Sequence, residues 1–151
     1  AILSPMSQSN LETEDFYTEM KDSLFIDVDL LGKLVYDKIY DWYDGPMLFT
    51  VTNQNNQSFM VYSVEDKRDV KIMVYVACEI PTEHSSNLRK HLESITLNDY
   101  IRSLNNFFII SLKYSGEAET VSKTSIEEMK KLDYLFLEGI GLDFGSIDIK
   151  K

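Results

Sequence analysis

The stretch MLFTVTNQNNQSFMVYSVEDKRDVKIMVYVACEI, residues 47–80, decides the fold. Three apolar runs, MLFTVT, SFMVYSVE and VKIMVYVACEI, are separated by the short polar segments NQNNQ and EDKRD. Runs of this length that are rich in β-branched and aromatic residues are typical of strands. Because short turns join strands that lie side by side, the stretch predicts an antiparallel meander. The last run is apolar on both faces through its middle, which indicates a central strand.

The same alternation extends toward the N-terminus. Apolar and polar residues alternate with a period of two through residues 24–43, and this period predicts two more strands. Gly32 divides them and indicates a turn or bulge. Asp44, Gly45 and Pro46 end the second of these strands, because Gly45 adopts a positive φ at little cost and Pro46 cannot donate a hydrogen bond to a neighbouring strand.

Helical signals begin after Pro81. Residues 82–106 carry apolar side chains at spacings of three and four, which predicts helix, and FFIISLKYS at 107–115 predicts a fifth strand after it. EAETVSKT at 117–124 is polar and predicts no strand. Ser125 precedes Glu128 by three residues, which matches the capping box at the start of a helix. The final apolar segment predicts a short strand or an irregular tail.

Together these patterns predict an α+β fold, an antiparallel meander of four to five strands with two to three helices packed on one face. Residues 1–23 are polar and acidic and predict a partly mobile N-terminal extension. Residues 24–151 then form a single α+β domain.

The chain is strongly acidic. It has 15 basic and 25 acidic residues among 151, a formal net charge of −10. Direct binding to nucleic acid relies on clustered Lys and Arg and is not expected. The charge favours a protein partner with a basic surface, although an acidic surface also serves solubility alone. No run reaches the roughly 18 apolar residues of a membrane helix, so we expect a cytoplasmic protein that binds no membrane.

The sequence offers no catalytic motif. His84 and His91 are seven residues apart and lack the further ligands of a metal site. Asp27 and Asp29 share one parity of a strand, so they could converge as paired carboxylates, but a solvated sheet face is the more common explanation. Cys78 lies inside an apolar run and has the pattern of a small buried residue. We therefore expect no enzyme activity, no cofactor and no metal.

One aromatic and acidic stretch is the candidate binding site. It comprises Tyr40, Asp41, Trp42, Tyr43 and Asp44, just before the Gly-Pro turn. Tyr40 and Trp42 share one face of the strand, whereas Asp41 and Tyr43 share the other. Both faces cannot be buried equally well near a turn, so one aromatic side chain should stay exposed for contact with a partner.

The segment from Leu31 to Ile80, followed by LESITLNDYI at 92–101, resembles a family of small uncharacterised bacterial domains. That family has a Tyr-Tyr-Asp-Gly-Pro-x-Leu-Phe segment, which corresponds to Trp42, Tyr43, Asp44, Gly45, Pro46, Leu48 and Phe49. The resemblance covers residues 31–102. It implies a shared fold and a bacterial or phage origin, but no reaction.

Two functions stay open at this point. The first is a non-enzymatic interaction module of the inhibitor, immunity or antitoxin type, which acts on a basic or nucleic-acid-handling protein. The second is a domain that binds a small ligand, such as a nucleotide or metabolite, in a pocket between sheet and helices. An enzyme with paired carboxylates has the weakest support. The oligomeric state is not predicted.

Overall fold

The computed structural model describes residues 20–42, 46–85, 88 and 97–135. Its main feature is one antiparallel sheet of seven strands in sequential order, β1 to β7. The strands are β1 (Leu24–Val28), β2 (Gly32–Trp42), β3 (Pro46–Thr52), β4 (Ser58–Lys67), β5 (Ile72–Ile80), β6 (Phe107–Lys113) and β7 (Ala118–Thr124). Within the described residues, a 3-10 helix spans Thr82–His84, and the α-helices α1 (Leu97–Arg102) and α2 (Ile126–Lys131) are each six residues long.

The predicted α+β class is therefore wrong. The sheet has seven strands rather than four or five, and the helices described are single short segments. One cause is β7, whose side chains are mostly exposed, so it has no apolar alternation for a sequence pattern to detect. It is a strand because its backbone pairs with β6 from Phe107 opposite Thr124 to Leu112 opposite Ala118. Much of the helix predicted over 82–106 lies outside the described residues.

The sheet is curled until its two edges approach each other. All seven strands contribute to one apolar cluster on the inner face, which includes Phe25, Phe49, Phe59 and Phe108. A flat sheet could not bring β1 and β7 to a common core, and these strands do come into contact. The curled sheet is nearly closed, and its inner face forms a packed core.

A second apolar cluster covers the outer face. It combines Met60, Tyr62, Val76 and Cys78 from the sheet with buried residues of the helical segments: Leu88, Tyr100, Ile101 and Met129. Ser125 caps α2 as its sequence predicts, because its hydroxyl accepts a hydrogen bond from the Glu128 amide at 3.2 Å. After α2, Tyr134 reaches β4, where its carbonyl accepts a hydrogen bond from the Tyr62 hydroxyl at 3.0 Å.

Strand directions give the curled sheet two distinct ends. The β1–β2, β3–β4 and β5–β6 connections lie at one end, which we call the first end. The β2–β3, β4–β5 and β6–β7 connections lie at the opposite end, which we call the second end. Side-chain contacts agree with this arrangement, since the Thr82 hydroxyl after β5 donates a hydrogen bond to the Asn56 carbonyl in the β3–β4 turn at 3.0 Å.

Asn53 holds the first end together. Its amide nitrogen donates hydrogen bonds to the Leu31 carbonyl and to the Gln57 side-chain oxygen, each at 2.9 Å. Its amide oxygen accepts hydrogen bonds from the Asn55 and Gln57 backbone amides, each at 3.0 Å. Gln57 in turn contacts Glu79, which also binds Asn106. Asn53 therefore connects the β1–β2 turn to the β3–β4 turn, and the side chains of Gln57 and Glu79 extend this network to Asn106 before β6.

We expect Asn53→Ala to lower the free energy of unfolding by about 2–3 kcal/mol, because it leaves several partly buried polar groups without partners. Urea denaturation measures this loss. The matched control is Asn55→Ala in the same turn, where the side chain is exposed, and it should change stability by less than about 0.5 kcal/mol. Equal effects for the two variants would contradict a specific role for Asn53.

Candidate functional site

The described part of the predicted aromatic site, Tyr40 with the backbone of Asp41 and Trp42, lies at the second end of the sheet. Tyr40 is half-buried and packs against the outer apolar cluster. Asp41 and Trp42 belong to β2, where they pair with Leu48 and Pro46 of β3. Their side chains, and the whole of Tyr43 and Asp44, lie outside the described residues. Tyr40, the one residue of this site whose side chain is described, therefore contributes to the packing of the outer face.

A group of ionisable side chains lies beneath the helical segments near Tyr40. The His84 Nδ1 atom and the Tyr100 hydroxyl are 2.9 Å apart. Burial, and to a lesser degree the nearby Cys78 and Tyr40, raises the pKa of Tyr100 well above its ordinary value. Burial also raises the pKa of the Cys78 thiol well above its ordinary value, which keeps the sulfur protonated and a poor nucleophile. Tyr100 and Cys78 belong to the packed outer cluster. His91 lies outside the described residues.

Asp27 and Asp29, which the sequence offers as an alternative pair of catalytic carboxylates, do not lie on the same strand. Asp27 lies in β1 directly opposite Lys33 of β2, and opposite charges in such a position stabilise a sheet modestly. Asp29 lies beyond the end of β1, in the turn to β2. Both side chains are exposed. Within residues 20–42, 46–85, 88 and 97–135, no group of three or more His, Cys, Asp or Glu side chains is arranged to hold a metal ion.

Exposed carboxylates gather at the first end. We name the following set the acidic end: Asp27, Asp29, Glu83, Glu127 and Glu128. Asp27 and Asp29 lie where β1 finishes, Glu83 lies just after β5, and the two glutamates open α2 just after β7. All five side chains are exposed. Because these strands run in the same direction, their acidic residues project from the same end of the sheet.

The second end has a different character. We name Arg68, Val70, Lys71 and Tyr114 the tip patch. Val70 in the β4–β5 turn is 59% exposed, and Tyr114 after β6 is 50% exposed. The Tyr114 amide donates a hydrogen bond to the Lys71 carbonyl at 2.9 Å, which joins the two hairpins. Sequence reasoning missed this patch, although an apolar residue within the charged turn EDKRDV was an available signal.

A groove of about 390 Å³ lies on the outer face between β6, β7 and the start of α2. Its lining combines one apolar residue, Ile109, with polar and charged side chains: Ser122, Lys123, Thr124, Ser125 and Glu128. The Thr124 hydroxyl is buried and has no hydrogen-bond partner. The volume of this groove falls in the range of small-molecule sites. Such sites are predominantly apolar and enclosed, whereas the lining of this groove is mostly polar.

These features define a class of protein: a small acidic β-domain with packed inner and outer faces, with exposed carboxylates at one end of the sheet and a mixed-charge patch around Val70 and Tyr114 at the other. Within the described chain, no helix has the length and apolar character required to cross a membrane. The chain belongs to the DUF6575 family, a family of unknown function, whose model matches residues 22–146. No curated protein and no solved structure matches the chain.

Proposed function

We propose that this protein is a non-enzymatic interaction domain that binds a protein with a basic surface through its acidic end. The observation that supports this proposal is the set of five exposed carboxylates at the first end of the sheet, where Lys33 opposite Asp27 is an exposed basic neighbour. The fold gives Asp27 and Asp29 a rigid base, because the Asn53 side chain donates a hydrogen bond to the Leu31 carbonyl in the turn that follows them. A rigid acidic surface loses little entropy when it binds.

The net charge of the chain also supports a basic protein as the partner. The chain carries a net charge of −10, and such a charge accelerates the diffusional encounter with a basic protein, particularly at low ionic strength. Proteins that handle nucleic acids present basic surfaces to the phosphate backbone. An inhibitor, immunity or antitoxin-like role would follow if the acidic end covers such a surface and competes with nucleic acid.

The test uses basic proteins encoded beside this gene. Each is mixed with the domain, and complex formation is measured on a sizing column and by titration at two salt concentrations. We expect one of them to form a complex that weakens as salt rises. The proposal fails if none of these proteins associates at low salt.

Paired charge variants locate the contact. Asp29→Asn with Glu83→Gln removes two charges at the first end, and both residues lie outside the strands, so strand pairing is preserved. Asp69→Asn with Glu117→Gln removes two charges at the second end. We expect the first pair to weaken the complex by roughly tenfold and the second pair by less than about twofold, since close charges dominate. The reverse ranking would exclude the acidic end as the contact surface.

A small-ligand domain is the second candidate, and the outer groove with its buried Thr124 hydroxyl is the observation in its favour. Thermal denaturation with a library of nucleotides and metabolites tests it. A ligand that raises the midpoint by several degrees, and loses this effect in Thr124→Val, would favour this candidate.

A further inference from the structure

The tip patch presents apolar side chains in a fixed geometry. The Val70 amide donates a hydrogen bond to the Lys67 carbonyl, and the Lys71 amide donates one to the Arg68 carbonyl, each at 3.2 Å. The Tyr114 hydroxyl donates a hydrogen bond to the Asp66 carboxylate. Arg68 Nε donates a second hydrogen bond to the same carboxylate at 3.2 Å. Tyr114 is therefore held in place although half of its surface is exposed. Rigid, exposed tyrosine and arginine side chains are typical of the residues that dominate binding energy at protein interfaces.

The charges around the tip patch differ from those of the rest of the chain. Four basic residues, Lys67, Arg68, Lys71 and Lys113, surround Val70 and Tyr114 together with the acidic residues Asp66, Asp69 and Glu117. The chain as a whole carries −10. The tip patch and these neighbours thus form a mixed-charge region on a strongly acidic protein.

This charge distribution favours a second copy of the same chain as the partner of the tip patch. A basic protein is repelled by the cations of the tip patch and attracted elsewhere. Two copies of this chain repel each other over acidic surfaces, and they can approach where each copy presents both signs of charge. In a two-fold arrangement the same patch faces itself, so cations of one copy can meet Asp69 and Glu117 of the other. The apolar side chains of Val70 and Tyr114 then lose contact with water at the centre.

We propose that the tip patch is a self-association surface, where a second copy of this chain docks in a two-fold arrangement. The surface is independent of the acidic end, which stays accessible at the opposite end of each copy. Its apolar centre is small, so the contact belongs to the class of weak interfaces that bury less than about 1,200 Å².

Sedimentation equilibrium tests the proposal with the full chain, over protein concentrations from about 10 μM to 1 mM, the range in which weak contacts become populated. We expect the average mass to rise with concentration toward that of a dimer. A mass that stays at the monomer value over the whole range overturns the proposal.

Variants distinguish the tip patch from other surfaces. Val70→Lys and Tyr114→Ser should each raise the dimer dissociation constant at least roughly tenfold. The matched control is Leu30→Lys, because Leu30 is 54% exposed, comparable to Val70, but lies in the β1–β2 turn at the first end. Circular dichroism verifies that each variant is folded. Dimerisation that persists in both tip variants, or that is lost in Leu30→Lys, overturns the assignment of the tip patch.

Discussion

Phe49→Ala will lower the free energy of unfolding by about 3–5 kcal/mol, the usual cost of removing a fully buried aromatic side chain. Phe49 is 0% exposed in β3. Its ring lies between those of Phe25, Tyr36 and Tyr75, with centroid distances of 5.1, 5.1 and 6.0 Å respectively. Because these rings come from β1, β2 and β5, the variant weakens the packing that keeps the sheet curled. A loss of this size is a large fraction of the stability of an ordinary domain.

Urea denaturation measures the loss of unfolding free energy in Phe49→Ala, and Phe49→Leu provides the control. Leucine keeps most of the apolar volume and loses only the ring contacts, so we expect its cost to be about 1–2 kcal/mol. The exposed Leu24 in β1, which is 54% exposed, serves as a second control. Leu24→Ala should change stability little. If Phe49→Ala cost no more than Leu24→Ala, the inner cluster would not be the main core of this protein.

Alkaline pH will unfold the protein cooperatively. Burial raises the pKa values of Tyr62, Tyr100 and Cys78 well above their ordinary values. In the unfolded chain tyrosine ionises near pH 10 and cysteine near pH 8.5. A group whose pKa is raised on folding contributes its stability in full below the unfolded pKa and loses it as pH rises toward the folded pKa. Above pH 10 each of these groups therefore lowers the free energy of unfolding by about 1.4 kcal/mol per pH unit.

Urea denaturation at several pH values between about 8 and 11 measures this dependence. Stability should fall by about 1.4 kcal/mol per pH unit between pH 8.5 and 10, where cysteine of the unfolded chain ionises, and more steeply above pH 10, where its tyrosines ionise as well. Tyr62→Phe removes one buried ionisable group. Above pH 10 it should therefore make the decrease in the free energy of unfolding smaller by about 1.4 kcal/mol per pH unit. A free energy of unfolding that stays constant above pH 10, or that falls equally steeply in the unmodified protein and in Tyr62→Phe, would contradict the prediction.

The sequence predicted most strands because their chemistry is visible locally. β3, β4 and β5 alternate apolar residues between two buried faces, and their turns contain polar residues that favour chain reversal. Gly32 has φ +80° at the start of β2, as expected for the glycine of a turn. The Ser125 cap also follows from a local pattern. These features depend on neighbouring residues alone.

β7 and the curl of the sheet were not predictable in the same way. β7 exposes Glu119, Thr120, Ser122 and Lys123, so only its backbone pairing with β6 defines it as a strand. The curl depends on how many strands share the inner cluster, which is a property of the whole chain. The tip patch was missed because Val70 and Tyr114 come together only when two hairpins are adjacent, whereas the candidate stretch from Tyr40 to Asp44 was found by composition.

The sequential order of the seven strands has a consequence for how the protein folds. Each strand pairs with the one that precedes it, so the sheet can grow by adding hairpins, each with a short loop to close. The contact between β1 and β7 is different, because it joins the two edges of the sheet and requires every intervening strand. We expect it to form late and to open first in the native state. Amide hydrogens of β7 should therefore exchange faster than those of β4 and β5, although all three are strands of the same sheet.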